Sequence, residues 1–197
     1  MASESRFREN DLFRGDRKNS SKNACVGDNG GRYDLFDYAL GYFDATLILL
    51  RAGQQPDAIV DTLVYPACYS YRHSLELFMK WLVNEMGLAL RGEDLKAAKV
   101  HDLTKNWERA LAGFQKLPER LARPEELELM ALAIKCVDEI DPNGETFRFS
   151  DDRKDRQHLK EWRLVNLTVL LSYVEKTVAV MKDWQYRLDR HQEDQRN

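Results

Sequence analysis

The sequence predicts an all-α protein, a bundle of about five helices with one short extended segment near residues 146–150. Three observations predict it. Large apolar residues recur every three or four positions from residue 32 onward, strand-like alternation is confined to one pentapeptide, and Gly, Pro and Asp stand where helices of that spacing should begin and end. The same pattern divides the chain into a polar N-terminal segment, 1–31, a helical domain, 32–190, and a charged C-terminal tail, 191–197.

The N-terminal segment finishes in a Gly-rich stretch, Gly27 to Gly31, whose glycine spacing fits neither nucleotide-binding fingerprint; it reads as a flexible linker. From Tyr33 to Arg51, Phe36, Leu40, Phe43, Leu47 and Leu50 mark the inward face of a first helix, and Gly53 stops it. A second helical pattern runs from near Asp57 toward Met86, with Pro66 expected to kink or divide it and Gly87 to end it. Within it, Tyr71, Leu75, Phe78, Met79, Trp81 and Leu82 take most of the circumference. Arg72, His73, Glu76 and Lys80 fall within an arc of about 100°, so a helix surrounded by protein carries ionisable groups along one edge.

Asp102 is placed to cap a third helix whose inward residues are Leu103, Trp107, Leu111 and Phe114, and Pro118 closes it. Pro124 in a first turn, with Glu125 and Glu126 near the positive helix end, opens a fourth, with Leu129, Ala133, Cys136 and Ile140 as its buried line. Asp141 to Gly144 force a turn, and Thr146 to Ser150 alternate as a small strand or an extended crossing. After a charged loop comes a long final helix marked by Leu164, Leu167, Leu171, Val174, Val178, Met181 and Leu188, expected to fray beyond Arg190.

Composition narrows the function. With 30 basic against 33 acidic residues the net charge is -3, so no global field draws nucleic acid, and only a local basic patch could. Cys25, Cys68 and Cys136 are odd in number and lack zinc spacing, which points to a reducing cytoplasm. The first residues lack the apolar core of a signal peptide, and the apolar run at Leu47–Leu50 is far too short to cross a bilayer, so no membrane association is expected. No two of the four histidines have helical metal-site spacing, and Asp151, Asp152 and Asp155 read as a solvated loop; neither metal nor cofactor is expected.

Charges on a buried helix need partners or a purpose. Arg72, Glu76 and Lys80 at successive i,i+4 positions form an ion-pair ladder, and His73 suits a hydrogen bond to a neighbouring helix. The functional reading adds His101, Arg148, Arg153 and His158. A histidine beside a cation transfers protons near neutral pH, and an arginine fork holds a phosphate as charge grows on it. Together these groups suggest metal-independent cleavage of RNA with the sugar 2′-hydroxyl as nucleophile. The four tryptophans, Trp81, Trp107, Trp162 and Trp184, read as core or interface anchors.

Three stretches occur in a recognisable order: Tyr71-Arg72-His73-Ser74-Leu75-Glu76-Leu77, then His101-Asp102-Leu103, then Phe147-Arg148-Phe149. Over roughly residues 65 to 152 the chain resembles the bacterial branch of the HEPN domains. The resemblance implies a compact helical bundle, commonly a homodimer, in a superfamily that contains RNases of toxin–antitoxin, CRISPR and phage-defence systems. It also implies a catalytic Arg and His near a late helix, for which Arg153 and His158 have compatible spacing; Lys154 departs from the small polar or acidic residue common there. On this reading Arg72, His73, Arg153 and His158 are candidate catalytic residues, and Glu76, Lys80, His101 and Arg148 candidate ligand-binding ones. The expected function is a metal-independent endoribonuclease or toxin-like effector in prokaryotic defence. The alternative is a non-enzymatic HEPN-like module that binds a nucleotide or a partner protein.

Overall fold

The computed structural model describes residues 10–27, 32–91, 95–98 and 101–196, and the chain separates into two units, Met1–Tyr33 and Asp34–Asn197. Residues 28–31 of the expected linker, the first nine residues, parts of the connection after the second helix and the last residue of the tail lie outside the described residues. In the first unit, a 3-10 turn at Ser20–Lys22 is braced by Asn23. The Asn23 side chain accepts the Asp16 N–H at 2.9 Å and donates to the Asp16 carbonyl at 3.2 Å. Every described residue of this unit is exposed, so local hydrogen bonds rather than a core organise it.

The second unit is all helical: α1 (Leu35–Ala52), α2 (Val60–Ala89), α3 (Leu103–Phe114), α4 (Pro124–Ile140) and α5 (Leu167–Arg196). All but α2, whose N-cap is Ile59, begin where the sequence supplies a side-chain acceptor for N–H groups at the helix start. Asp34 accepts from Phe36 and Asp37, and Asp37 returns the bond to Asp34. Asp102 accepts the Lys105 N–H at 2.8 Å, as its position predicts. Asn166 does the same for Thr168 and Val169 at the head of α5. At α4, Pro124 fills the first turn and Glu126 accepts the Arg123 N–H at 2.9 Å.

Helix α2 is the centre, packed against α1, α3 and α5. Its Tyr71, Leu75, Phe78, Met79, Trp81 and Leu82 are all buried. Phe78 and Trp81 join Phe36 and Trp184 in an aromatic cluster that Trp107 extends, its ring parallel to Trp184 at 6.3 Å between centroids. Burying side chains of this size contributes roughly 1.5–3 kcal/mol each. A second buried contact ties α4 to α5. Glu126 accepts Arg187 on both oxygens at 2.7 Å and the Trp184 indole N–H at 2.9 Å. Burial would raise the Glu126 carboxyl, but these donors and the Arg123 N–H bring it down to about 2.

The structure departs from the sequence expectations at five places. Helix α2 passes through Pro66 undivided; Pro66 and Thr62, whose carbonyl loses its helical donor there, are both exposed, so water can take that acceptor. Gly87 does not end the helix, which continues to Ala89. Its missing Cβ instead admits the backbone carbonyl of Leu95. On α4 the buried line is Glu126, Met130, Ala133 and Ile134, and Cys136 is exposed. Residues 146–150 form a turn, with the Arg148 and Phe149 N–H groups both donating to the Glu145 carbonyl, and the one β-bridge among the described residues joins Asp151 to Gln157. Leu164 precedes α5 and is 92% exposed, whereas the far end of α5 stays helical to Arg196, held by Gln192 against Glu85. No helix among the described residues is long and apolar enough to cross a membrane.

Candidate functional site

The polar edge of α2 meets two distant parts of the chain, the start of α3 and the turn after α4. Arg72 is buried and its guanidinium reaches both. Nε donates to the Asp141 carbonyl at 2.8 Å, Nη2 to the carbonyls of His101 at 2.8 Å and Pro142 at 3.2 Å, and Nη1 to Glu76 Oε2 at 2.9 Å. The turn is shaped to receive it. Gly144 has φ +74° and packs close against the guanidinium, while Asp141 Oδ1 accepts the N–H groups of Glu145 and Thr146. Asp141 Oδ2 is buried without a hydrogen bond, but Arg72 Nε stands 3.6 Å away.

Glu76 completes the network. Its Oε1 accepts Lys80 Nζ at 2.7 Å and His101 Nδ1 at 2.8 Å. Burial pushes its carboxyl up, but the hydrogen bonds from Lys80, Arg72 and His101 outweigh that and hold it below the usual carboxylate range. The ladder expected within α2 is therefore real, and two long-range links are added to it. The His101 ring binds Glu76 through Nδ1 and leaves the rest of its largely exposed side chain, with Nε2, on an open cleft of about 880 Å³. Asp102, Glu108, Asp138 and Glu145 line that cleft against Lys105 and Arg153, so acid outweighs base there. Arg153 is 88% exposed and donates to Glu145 Oε1 at 2.7 Å.

His73, next to Arg72 in sequence, points elsewhere. Its ring lies parallel to Tyr69 at 5.9 Å and meets the edge of Tyr42 at 4.5 Å. Burial lowers its pKa, with the opposing pull of Glu76 insufficient to restore it, so the imidazole is neutral at neutral pH. Arg148 extends the row, its guanidinium 5.7 Å from the Tyr69 ring and 5.1 Å from that of Phe149. One helical turn before Tyr42 and Tyr69 stand Tyr38 and Tyr65, 56% and 46% exposed, and Phe149 is 54% exposed. The seam of α1 and α2 thus carries a line of aromatic rings around one cation and one neutral imidazole.

Of the sequence-predicted site residues, Arg72, Glu76, Lys80 and His101 come together in one network. Arg153 faces the cleft on which His101 opens, and His73 and Arg148 share the aromatic row. His158 belongs to neither. Its backbone N–H bonds to the Ser150 carbonyl, its ring Nε2 is buried without a hydrogen bond, and no hydrogen bond or ion pair joins it to Arg153. Sequence reasoning missed Tyr42 and Gly144. The Asp-Pro-Asn-Gly turn signalled Gly144, but nothing local pairs Tyr42 with His73. Among the described residues no group of three His, Cys, Asp or Glu side chains is placed to hold a metal ion. No known protein family, curated protein or solved structure matches the chain.

Proposed function

We propose that this protein is a HEPN-like helical module that binds single-stranded RNA or a nucleotide without cleaving it. One observation carries the reading: the partly exposed row Tyr42, His73, Tyr69, Arg148 and Phe149 along the α1–α2 seam. Successive aromatic faces with an interleaved cation suit stacked bases, each base–ring contact being worth about 1–3 kcal/mol. The neutral state of His73 fits stacking, since no charge has to be desolvated. The Arg72–Glu76 network supports a structural role for those residues, because Arg72 spends its donors on Glu76 and three backbone carbonyls. The test is fluorescence anisotropy with a labelled single-stranded RNA, in wild type and Phe149→Ala. The reading expects binding that weakens in the variant while the RNA stays intact; no binding overturns it.

A second reading, a HEPN-type metal-independent RNase acting as a toxin-like effector in prokaryotic defence, draws support from a different contact. His101 Nδ1 on the buried Glu76 is a carboxylate-oriented imidazole with its other nitrogen on an open cleft, and Arg153 lines the same cleft. On this reading His101 takes the proton of a sugar 2′-hydroxyl, whose oxygen attacks the phosphorus, and the 5′ oxygen leaves with a proton from solvent. Incubation of the chain with RNA in excess chelator separates the two readings. Cleavage that His101→Ala abolishes, with oligomeric state unchanged, selects the RNase; RNA that stays intact rules it out, and the anisotropy measurement decides the binding module.

A further inference from the structure

A cavity that shares no lining residue with either region has a different chemistry. It lies between α4 and the start of α5, roofed by the irregular segment before α5, with a volume of about 440 Å³. That volume falls within the range of about 300–1,000 Å³ typical of small-molecule sites. Helix α4 contributes Ala133, Cys136 and Ile140, and α5 contributes Val169 and Tyr173. Trp162 and Leu164 line the roof yet are 46% and 92% exposed, large apolar surfaces that an occupant would cover.

Two of the polar groups in the wall are engaged, while the Trp162 indole N–H, the Tyr173 hydroxyl and Asn166 Nδ2 make no hydrogen bond among the described residues. The Tyr71 hydroxyl pairs with Thr177 at 3.2 Å, and Asn166 Oδ1 caps α5. Burial pushes the Cys68 thiol up to about 12, leaving it neutral. An occupant therefore meets a wall made mainly of aliphatic and aromatic side chains, and its buried part is apolar. A cation stands beside one wall residue. Lys176, one turn beyond Tyr173 on α5, holds its ammonium 5.5 Å from the Tyr173 ring centroid and pairs with no carboxylate among the described residues.

From this arrangement we infer that the cavity is a binding site for an unbranched aliphatic carboxylate, a fatty acid, with its chain between α4 and α5 and its carboxylate at Lys176. The ligand class follows from a wall of mainly aliphatic and aromatic side chains, with a cation beside one of them, Tyr173. The site is separate from the aromatic row and does not depend on RNA binding.

Calorimetric titration of the full chain with octanoate, decanoate, dodecanoate and tetradecanoate tests it. Saturable one-to-one binding is expected, tightening about fourfold per added methylene until the cavity is filled and levelling thereafter. Absence of saturable binding, or tightening that never levels, overturns the site. Cys136→Phe places a ring in the cavity from an exposed position and should weaken dodecanoate at least tenfold with an unchanged melting temperature; unchanged affinity overturns the site. Lys176→Gln should weaken dodecanoate about fivefold and leave dodecanol unaffected, and equal binding of dodecanol and dodecanoate by the wild type overturns the acid as ligand.

Discussion

Gly144 lies so close to Arg72 that a Cβ built on it would stand 2.9 Å from Nη1 and 3.1 Å from Cζ. Four hydrogen bonds pin the guanidinium, so it cannot retreat, and φ +74° is itself unfavourable for a side chain by about 1–2 kcal/mol. Gly144→Ala is expected to cost about 3 kcal/mol, read as a lower urea midpoint at unchanged slope. A loss below about 1 kcal/mol would show that the turn moves freely away from Arg72.

Arg72 and Glu76 form a buried pair, and removing Arg72 takes a cation from Glu76 and the donor from the carbonyls of His101, Asp141 and Pro142. Arg72→Met should destabilise by about 3–5 kcal/mol, and Arg72→Met with Glu76→Met should recover part of that loss, because both desolvated charges are then gone. A double variant as unstable as the sum of the singles would contradict the pairing.

Glu126 sets an acid limit. Its folded pKa, about 2, lies below the ordinary 4.5, so its contribution is complete above about pH 4.5 and is lost as pH falls toward 2. Allowing for the partial exposure of Arg187 and Arg123, about 2 kcal/mol should disappear across that window. Urea midpoints measured from about pH 5.5 to about pH 2.5 should fall in wild type and fall less in Glu126→Gln. Parallel curves for the two proteins would assign the acid sensitivity to other carboxylates.

The aromatic row predicts a graded loss of RNA affinity. Phe149→Ala and Tyr69→Ala should each weaken single-stranded RNA by about 5- to 150-fold, and Phe149→Trp should retain affinity. Surface Phe149 is the cleaner probe, since Tyr69 also holds His73 and Arg148 in place. Equal affinity in Phe149→Ala and wild type would remove the row from consideration.

Pro66 costs a helical hydrogen bond that the fold tolerates. Pro66→Ala should stabilise the protein by about 1–2 kcal/mol, the helix-propensity gain less the loss of unfolded-chain rigidity. Thermal unfolding measures it, and a lower midpoint would mean that the proline shapes the packing of α2.

Legibility followed the range of the interaction. The helices and the Asp102 cap rest on three- and four-residue periodicity and on single acceptors, which a sequence displays directly. The Arg72–Glu76–Lys80 ladder is equally local. The acceptors that decide what Arg72 does are backbone carbonyls at His101, Asp141 and Pro142, and a carbonyl carries no residue-specific mark. Leu164 fitted the apolar spacing of the last helix, but Asn166 supplies the cap and starts α5 later, leaving Leu164 on the cavity roof. The Glu126 contact with Trp184 and Arg187 had a partial signature, an acid in one helix and an aromatic and a cation three apart on another. Pairing them needs the packing of α4 on α5.

The reach of Arg72 also bears on how the chain is made. When α1 and α2 have left the ribosome, this guanidinium has Glu76 beside it, but the carbonyls of His101, Asp141 and Pro142 do not yet exist. The edge of α2 that carries Arg72 therefore stays open and hydrated during synthesis until the turn at Gly144 emerges. Completion of the Arg72 network is thereby postponed toward the end of translation, and a nascent chain truncated before residue 142 should be the form most dependent on chaperones.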